Sequence, residues 1–406
     1  MNRVTRPSAI TTDSQETATQ WLPILLLFLS GCSVALHIGK VPAALPLLIE
    51  QLQLSLTQSG LVVSLYSLMI AILGVVLGLM VRRFGYVAFA ITGLGLVAVG
   101  SLTGSLSVTL QWLLITRVLE GLGWIMSVIA FPPLLSAFAA ARDRPLVLGI
   151  WGGFVPLGAG TMLIVAPWIQ HIGDWQLSWQ VAGAATALAL FVAWIVTRVK
   201  EQDIRHLRVG EEVLPFVELK KPVVWLFSFC FFSYSSQFTA VTSFLPTLFI
   251  DTSNWTLADT SRVVALIVLS NVIGNVAAGY LLRFGASNVS LLLGSAVVMG
   301  LCAMIVFAES MGMPVRIAAA FMFSAFGGLI PGTLFASLPR VADNPLAIGL
   351  LIGLMLQFAG LGQLIGGVVL PAVVEYFDHW QAAGVYCLLV AISGCVAAAL
   401  VPRFER

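Results

Sequence analysis

Asp143-Arg-Pro-Leu-Val-Leu-Gly149 recurs 200 residues later as Asp343-Asn-Pro-Leu-Ala-Ile-Gly349. Two shorter pairs stand at the same offset and in the same order: Leu45-Pro46 with Leu245-Pro246, and Arg83-Phe84-Gly85 with Arg283-Phe284-Gly285. Three matches at one offset indicate that the second half of the chain duplicates the first. Because both halves consist of long apolar stretches, we predict two similar helical bundles that move about a site between them.

The composition places most of the chain in lipid. Of the 406 residues, 59% are hydrophobic and 9% are charged, whereas a soluble domain carries about 25% charged residues. The near balance of 20 basic and 18 acidic side chains gives no reason to expect nucleic acid as a partner. The five cysteines stand singly in apolar stretches, so we expect no disulfide framework, no metal site and no other cofactor.

Twelve apolar stretches are each long enough to cross a bilayer, which takes about 20 helical residues. The predicted spans are 21–48, 58–81, 86–106, 108–131, 146–169, 179–197, 223–250, 261–282, 289–307, 315–338, 346–374 and 381–401. The predicted fold class is an all-α integral membrane protein with 12 transmembrane helices, arranged as two six-helix pseudo-symmetric bundles. The predicted domains are a cytoplasmic tail at 1–20, bundles at 21–197 and 223–401, a linker at 198–222 and a tail at 402–406. We expect the linker to be a plain tether rather than a short surface helix.

Basic side chains are concentrated in the loops and tails of one side of the predicted bundle. They include Arg82, Arg83, Arg142, Arg144, Arg283 and Arg340, whereas acids such as Glu50, Asp174 and Asp378 fall on the other side. By the positive-inside rule the basic side is cytoplasmic, and so are both termini. We therefore expect a multi-pass protein of a bacterial cytoplasmic (inner) membrane, surrounded by the lipid bilayer and acting as a monomer.

The loop after the second span carries a recognisable motif. Gly78-Leu-Met-Val-Arg82-Arg83-Phe84-Gly85 resembles the G-x-x-x-D-R-x-G loop of the major facilitator superfamily, with Arg82 in place of the acid. The second half keeps a reduced copy that ends in Arg283-Phe284-Gly285. The resemblance implies the 12-helix fold, transport by alternating access, and a gating loop. The residues assigned to that loop are Gly78, Arg82, Arg83, Gly85 and Arg283.

Three further helices bear on the resemblance. Arg117-Val-Leu-Glu120-Gly-Leu-Gly123 in the fourth helix is similar to the superfamily's R-x-x-Q-G-x-G motif, with Glu120 at the glutamine position. The fifth helix lacks the Gly-Pro pair of the motif associated with antiporters, which favours uptake. Gly39-Lys40-x-Pro42-Ala-x-Leu45-Pro46 is similar to the first helix of cyanate-permease-like members.

Four ionisable side chains lie at one depth in the predicted bilayer. At about 1.5 Å of rise per residue, Lys40 and His37 lie roughly 12 and 16 Å below the outer end of the first helix. Arg117 and Glu120 lie roughly 13 and 18 Å below the outer end of the fourth. Charges at such depth are costly and mark functional sites. We predict that His37, Lys40 and Arg117 bind substrate and that Glu120 and His37 couple protons. The excess positive charge favours a small anionic or polar solute.

Structural explanations compete with this one. Arg117 and Glu120 could be an ion pair that only holds helices together, and His37 could be a core histidine bonded to a backbone carbonyl. Lys40 could extend toward the outer surface, although roughly 12 Å is more than its side chain comfortably reaches. Lys40 is thus the strongest single candidate for a substrate or coupling role.

The second half offers amides instead of charges. The predicted substrate-binding amides are Gln237 on the seventh helix, Asn271 and Asn275 on the eighth, and Gln357 and Gln363 on the eleventh. Buried amides need hydrogen-bond partners, which a substrate or a neighbouring helix can supply. We expect charge recognition in the first half and hydrogen bonding in the second.

These features predict a secondary active transporter that moves a small polar or anionic solute by proton-coupled uptake. An exporter of drugs or metabolites working by proton antiport is the first alternative, since aromatic side chains such as Phe231, Phe232 and Phe238 suit lipophilic cations. A non-transporting membrane sensor is the second. No catalytic dyad or metal-ligand spacing supports an enzyme.

Overall fold

Long apolar runs form helices because a backbone in lipid must satisfy its hydrogen bonds internally. The computed structural model describes residues 18–54, 56–207, 215–252, 255, 257–342 and 347–404, and within these ranges the chain is helical with no strand. The helices are Trp21–Gln51, Leu56–Phe84, Tyr86–Gly104, Leu110–Ala137, Arg144–Gly152, Phe154–Val199, Pro222–Thr252, Leu257–Arg283, Asn288–Val306, Met313–Gly327, Leu329–Val341, Ile348–Phe377 and Gln381–Leu400.

The twelve-span architecture is confirmed, with two corrections to where the helices end. Phe154–Val199 contains the end of the fifth span and the whole sixth, because only Gly173 and Asp174 leave helical geometry between them. Asp174 has a φ of 63°, so the chain turns there without a long loop. The tenth span is interrupted at Gly328, between Met313–Gly327 and Leu329–Val341. Pro222–Thr252, a helix of 31 residues, is the seventh span.

Both repeated Arg-Phe-Gly turns have their glycine at a positive φ. Gly85 has a φ of 83° and Gly285 a φ of 89°, in the left-handed region that only glycine adopts readily. Each turn ends one span and leads directly into the next. The duplicated glycine is therefore a requirement of the turn itself.

One end of the bundle, here named the arginine face, carries Arg83, Arg142, Asp143 and Arg283. Thr19 donates a hydrogen bond to Asp143 Oδ2 at 2.5 Å, so the start of the described chain lies on this face too. On the opposite face, Trp175 Nε1 donates to Gln51 Oε1 at 2.9 Å. The arginine residues that the sequence groups together are thus together in space.

The linker differs from the prediction. Its described parts form short helical turns at Glu201–Ile204, Arg205–Leu207 and Pro215–Lys220. Ile204 is 4% exposed and packs on the apolar core. The expectation of a plain tether is therefore wrong for these residues, because an apolar side chain anchors the linker to the bundle.

Gly149 and Gly349, the last residues of the two copies of the repeated Asp-x-Pro-Leu-x-x-Gly sequence, each lie against the other half. A Cβ on Gly149 would lie 2.5 Å from the Cα of Gly279, and a Cβ on Gly78 would lie 2.6 Å from the carbonyl oxygen of Gly349. Such distances leave no room for a side chain, so backbone meets backbone at both contacts. The fifth span thus packs on the eighth, and the eleventh packs on the second in the same way.

Candidate functional site

The four ionisable residues of the predicted layer form one buried ion cluster, made of His37, Lys40, Arg117 and Glu120. Lys40 Nζ lies 2.6 Å from Glu120 Oε1, and the Arg117 guanidinium donates to Glu120 Oε2. The exposed fractions of the side chains are 0% for Lys40 and Glu120 and 2% for Arg117. The common depth inferred from helix spacing is therefore correct, and Lys40 does not extend to the surface.

All three donors of the Lys40 ammonium have acceptors. Besides Glu120, Nζ contacts Ser101 Oγ at 2.7 Å and His37 Nδ1 at 2.8 Å. An ammonium has three N–H groups and no acceptor, so this set fits a charged lysine. Burial without such partners would cost several kcal/mol, by the usual magnitudes for an ion in the protein interior.

The hydrogen bonds around His37 fix its tautomer. His37 Nε2 lies 2.9 Å from Thr186 Oγ1, whose hydroxyl donates to the carbonyl of Ala182 at 3.0 Å. Nε2 therefore carries the proton, and Nδ1 is free to accept from Lys40. With a neutral His37, the cluster has two cations and one carboxylate, and its net charge is +1.

Aromatic rings cover the two cations. The Arg117 guanidinium lies 4.5 Å from the centre of the Tyr66 ring, and Lys40 Nζ lies 4.5 Å from that of Trp179. Ring faces attract cations, and more strongly where water is absent. Tyr66 also donates its hydroxyl to the backbone carbonyl of Glu120 at 3.3 Å. The cluster is thus held on all sides by the first bundle.

Several members of this environment were not among the predicted site residues. They are Tyr66, Ser101, Trp179 and Thr186. Ser101 accepts from Lys40 and donates to the carbonyl of Trp179 at 2.7 Å. Its helix approaches closely because Gly100 has no side chain; a Cβ there would lie 2.9 Å from Glu120 Cγ. The small residues Gly100, Ser101 and Gly104 on the third span are the sequence signal that could have indicated this contact.

The predicted gating residues lie on or near the arginine face. Gly78 forms the contact with Gly349, and Gly85 forms the left-handed turn. Arg82 is buried and Arg83 is exposed. Arg283 Nη2 lies 3.0 Å from Asp143 Oδ1 and so forms an ion pair between the two halves. Asp143, at the start of the first repeated segment, is a partner that the motif comparison did not identify.

The five amides of the second half do not meet the ion cluster. Asn275 Nδ2 donates to Asn271 Oδ1 at 2.9 Å, and Asn271 Nδ2 donates to the carbonyl of Ser324 at 2.9 Å. This pair joins the eighth span to the tenth, as amides between membrane helices commonly do. Gln237 donates to the carbonyl of Ser233, one turn earlier on its own helix, at 3.3 Å.

The two glutamines of the eleventh span face the second span. Ser67 donates to Gln363 Oε1 at 2.7 Å, and the backbone N–H of Val75 donates to Gln357 Oε1 at 3.4 Å. Both bonds cross between the halves. In this conformation the two side chains therefore contribute to the contact between bundles.

Known proteins share this architecture. The model of the family named Major Facilitator Superfamily matches residues 24–347. The solved structure of the proton:xylose symporter XylE aligns with a TM-score of 0.77 at 16% identity, over 95% of this chain and 96% of that one. The fucose:proton symporter FucP of E. coli aligns with a TM-score of 0.71 at 16% identity, over 95% of this chain and 98% of that one. At such identities the likeness concerns the fold.

Curated relatives match over shorter lengths. The hexuronate transporter of Bacillus subtilis is 25% identical over 274 residues, which is 64% of each protein. The methyl viologen resistance protein SmvA of Salmonella typhimurium is 30% identical over 152 residues, which is 36% of this chain and 31% of that protein. The chain thus spans less than two thirds of either relative. The cyanate-permease-like subgroup stays a prediction. The family match covers most of the residues, and the chain belongs to the Major Facilitator Superfamily of membrane transporters.

Proposed function

We propose that this transporter takes up a small anionic solute together with a proton, and that the ion cluster is the site where the two are coupled. The observation that carries the proposal is the buried cluster of net charge +1, built from Lys40, Arg117 and Glu120 with a neutral His37. Burying ionisable groups in membrane spans is costly, and such groups commonly mark the path of a substrate or an ion. The hexuronate transporter of Bacillus subtilis, whose name refers to a sugar carboxylate, supports an anionic solute.

Coupling follows from competition for the two cations. In this conformation the Glu120 carboxylate forms ion pairs with both Lys40 and Arg117. A proton that neutralises Glu120 weakens both ion pairs, and the carboxylate of a solute can then take its place. Proton and anion therefore favour each other's binding, which is positive thermodynamic coupling. His37, which faces both Lys40 and Glu120, is the second group able to carry a proton.

In alternating access the transporter opens first to one side of the membrane and then to the other. We assign control of this movement to the contacts on the arginine face. The glycine contacts and the Arg283–Asp143 ion pair join the halves here, and their separation would open the path on this side. The excess of basic residues makes this face cytoplasmic by the positive-inside rule. The proposed location is the inner membrane of a bacterium.

Export of organic cations is the alternative that a specific observation favours. The relative SmvA is named for methyl viologen resistance, and methyl viologen is a dication. Phe231, Tyr234 and Phe238 stack along the seventh span, with ring centres 6.1 and 5.4 Å apart. The net positive charge of the ion cluster opposes a cation in the first half.

Transport by proteoliposomes separates these functions. An inward proton gradient is imposed, and uptake is measured for a panel of small carboxylates led by D-glucuronate, with D-glucose and methyl viologen as neutral and cationic probes. We expect accumulation of a carboxylate that requires the gradient and is lost in Lys40→Ala. Gradient-driven efflux of methyl viologen without transport of any carboxylate would overturn the proposal.

A further inference from the structure

A cleft opens on the arginine face, on the outside of the first bundle. It has a volume of about 540 Å³ and lies between the turn after the second span, the start of the third, the end of the sixth and the linker. The residues that matter for its chemistry are Arg83, Val87, Ile91, Trp194, Arg198 and Glu201. The cleft shares no residue with the ion cluster, and among its lining residues Tyr86 also accepts a hydrogen bond from the backbone N–H of Gly349 in the other half, at 3.3 Å.

The wall of the cleft is apolar and continues into the lipid-facing surface. Val87 and Ile91 lie one turn apart on the third span, and Trp194 faces them from the sixth. Trp194 is 44% exposed, and Ala88 beside Val87 is exposed as well. Because both spans cross the bilayer, this wall is open to hydrocarbon from the side.

The rim of the cleft is cationic. Arg83 and Arg198 are exposed, and within the described part of the chain neither lies within ion-pair distance of a carboxylate. Arg198 rests near the Trp194 ring at 5.8 Å, and Arg83 near the Phe84 ring at 6.0 Å. Their guanidinium donors are therefore free for an external acceptor. A second cavity of about 620 Å³ shares Arg198 and Glu201 with the first and adds Arg205.

We propose that the cleft binds one anionic phospholipid. The phosphodiester accepts hydrogen bonds from Arg83 and Arg198, and an acyl chain lies along Val87, Ile91 and Trp194. Guanidinium groups bind phosphate through paired, charge-assisted hydrogen bonds, and basic pockets between membrane helices suit anionic headgroups. The cleft holds two arginines and one glutamate, with Arg205 in the adjoining cavity, and this excess of positive charge disfavours a zwitterionic lipid. The apolar wall disfavours a free phosphate ion.

The test is lipid titration of the purified full-length protein, followed by native mass spectrometry. Dioleoyl phosphatidylglycerol is compared with dioleoyl phosphatidylethanolamine in the wild type, in R83Q/R198Q and in the charge-matched control R340Q/R403Q. Arg340 and Arg403 are also exposed but lie outside the cleft. We expect R83Q/R198Q to bind phosphatidylglycerol about thirtyfold more weakly, because each surface arginine contributes about a fivefold factor. The control should bind as the wild type does.

Three results would overturn the proposal. They are equal losses in the two double variants, a wild type that does not prefer phosphatidylglycerol, and displacement of the lipid by inorganic phosphate at the same concentration. Trp194→Ala provides a second route that leaves the arginines in place. It should weaken phosphatidylglycerol binding while the binding of glycerophosphoglycerol, which has no acyl chain, does not change; an unchanged lipid affinity would contradict the assigned wall.

Discussion

The two halves of the molecule are alike on the arginine face and different in the interior. Gly149 meets Gly279 as Gly78 meets Gly349, and the turns at Gly85 and Gly285 share a left-handed backbone. In the interior, the offset of 200 places Gln237 and Ala240 where the first half has His37 and Lys40, and Ile317 and Ala320 where it has Arg117 and Glu120. The contacts between the halves are thus present in two copies, whereas the ion cluster, where we propose that coupling takes place, is present in the first half alone.

The largest effect should come from removing the carboxylate of the ion cluster. Glu120→Gln leaves the buried Lys40 and Arg117 without an anion, which should lower the free energy of unfolding by about 3–5 kcal/mol. Lys40→Met should cost less, because the Arg117–Glu120 pair remains. Denaturant unfolding in detergent measures both.

The double variant K40M/E120Q sharpens this prediction. It should be more stable than E120Q alone, because only one uncompensated cation is then left. Additive losses would show that charge balance does not determine the stability of the first half.

The duplicated glycine contacts should respond equally to the same change. Gly149→Ala and Gly78→Ala each force backbones apart at the arginine face, at a typical overpacking cost of about 1–3 kcal/mol. Spin labels at the exposed positions 84 and 284 should report a longer distance in both variants. Gly367→Ala is the control, because a Cβ there meets no atom within 4 Å. A response in only one of the two variants would contradict the symmetry.

Ser101→Ala tests the support of the ion cluster from the third span. It removes one of the three acceptors of Lys40. A hydrogen bond to a charged group contributes about 1.5–3 kcal/mol, and the loss is smaller where water or a neighbouring group replaces the missing acceptor. We expect a loss of about 1–2 kcal/mol in unfolding free energy and a weaker response of solute uptake to the proton gradient. A stability loss with unchanged coupling would make Ser101 purely structural.

The smallest effect should come from the ion pair between the halves. Arg283 is 31% exposed, so its ion pair should contribute little. Arg283→Gln should change the free-energy difference between the joined and the separated arrangement of the halves by about 0.2–1 kcal/mol. The distances between the same spin labels report this change. Asp143→Asn should have the same effect, and the double variant should add little to either. Arg142→Gln is the matched control, since its contact with Asp143 is 3.8 Å long and its side chain is 66% exposed.

Helix spacing was sufficient to predict much of this structure. The twelve spans follow from apolar length, and the common depth of Lys40 and Glu120 follows from rise per residue. Spacing carries no information about which helix packs beside another, so the contribution of Ser101 and Thr186 was not predicted. The same limit applies to Gln357 and Gln363, which are half-buried and whose hydrogen-bond partners lie on the second span.

The measurement that tests the central claim most directly is the pH dependence of carboxylate binding to the wild type and to E120Q. Calorimetric titration with the carboxylate identified in proteoliposomes gives both affinities. If Glu120 must be neutralised before an anion binds, wild-type affinity rises as the pH falls, while E120Q binds tightly at every pH. Parallel pH profiles in the two proteins would contradict the assignment of coupling to the ion cluster.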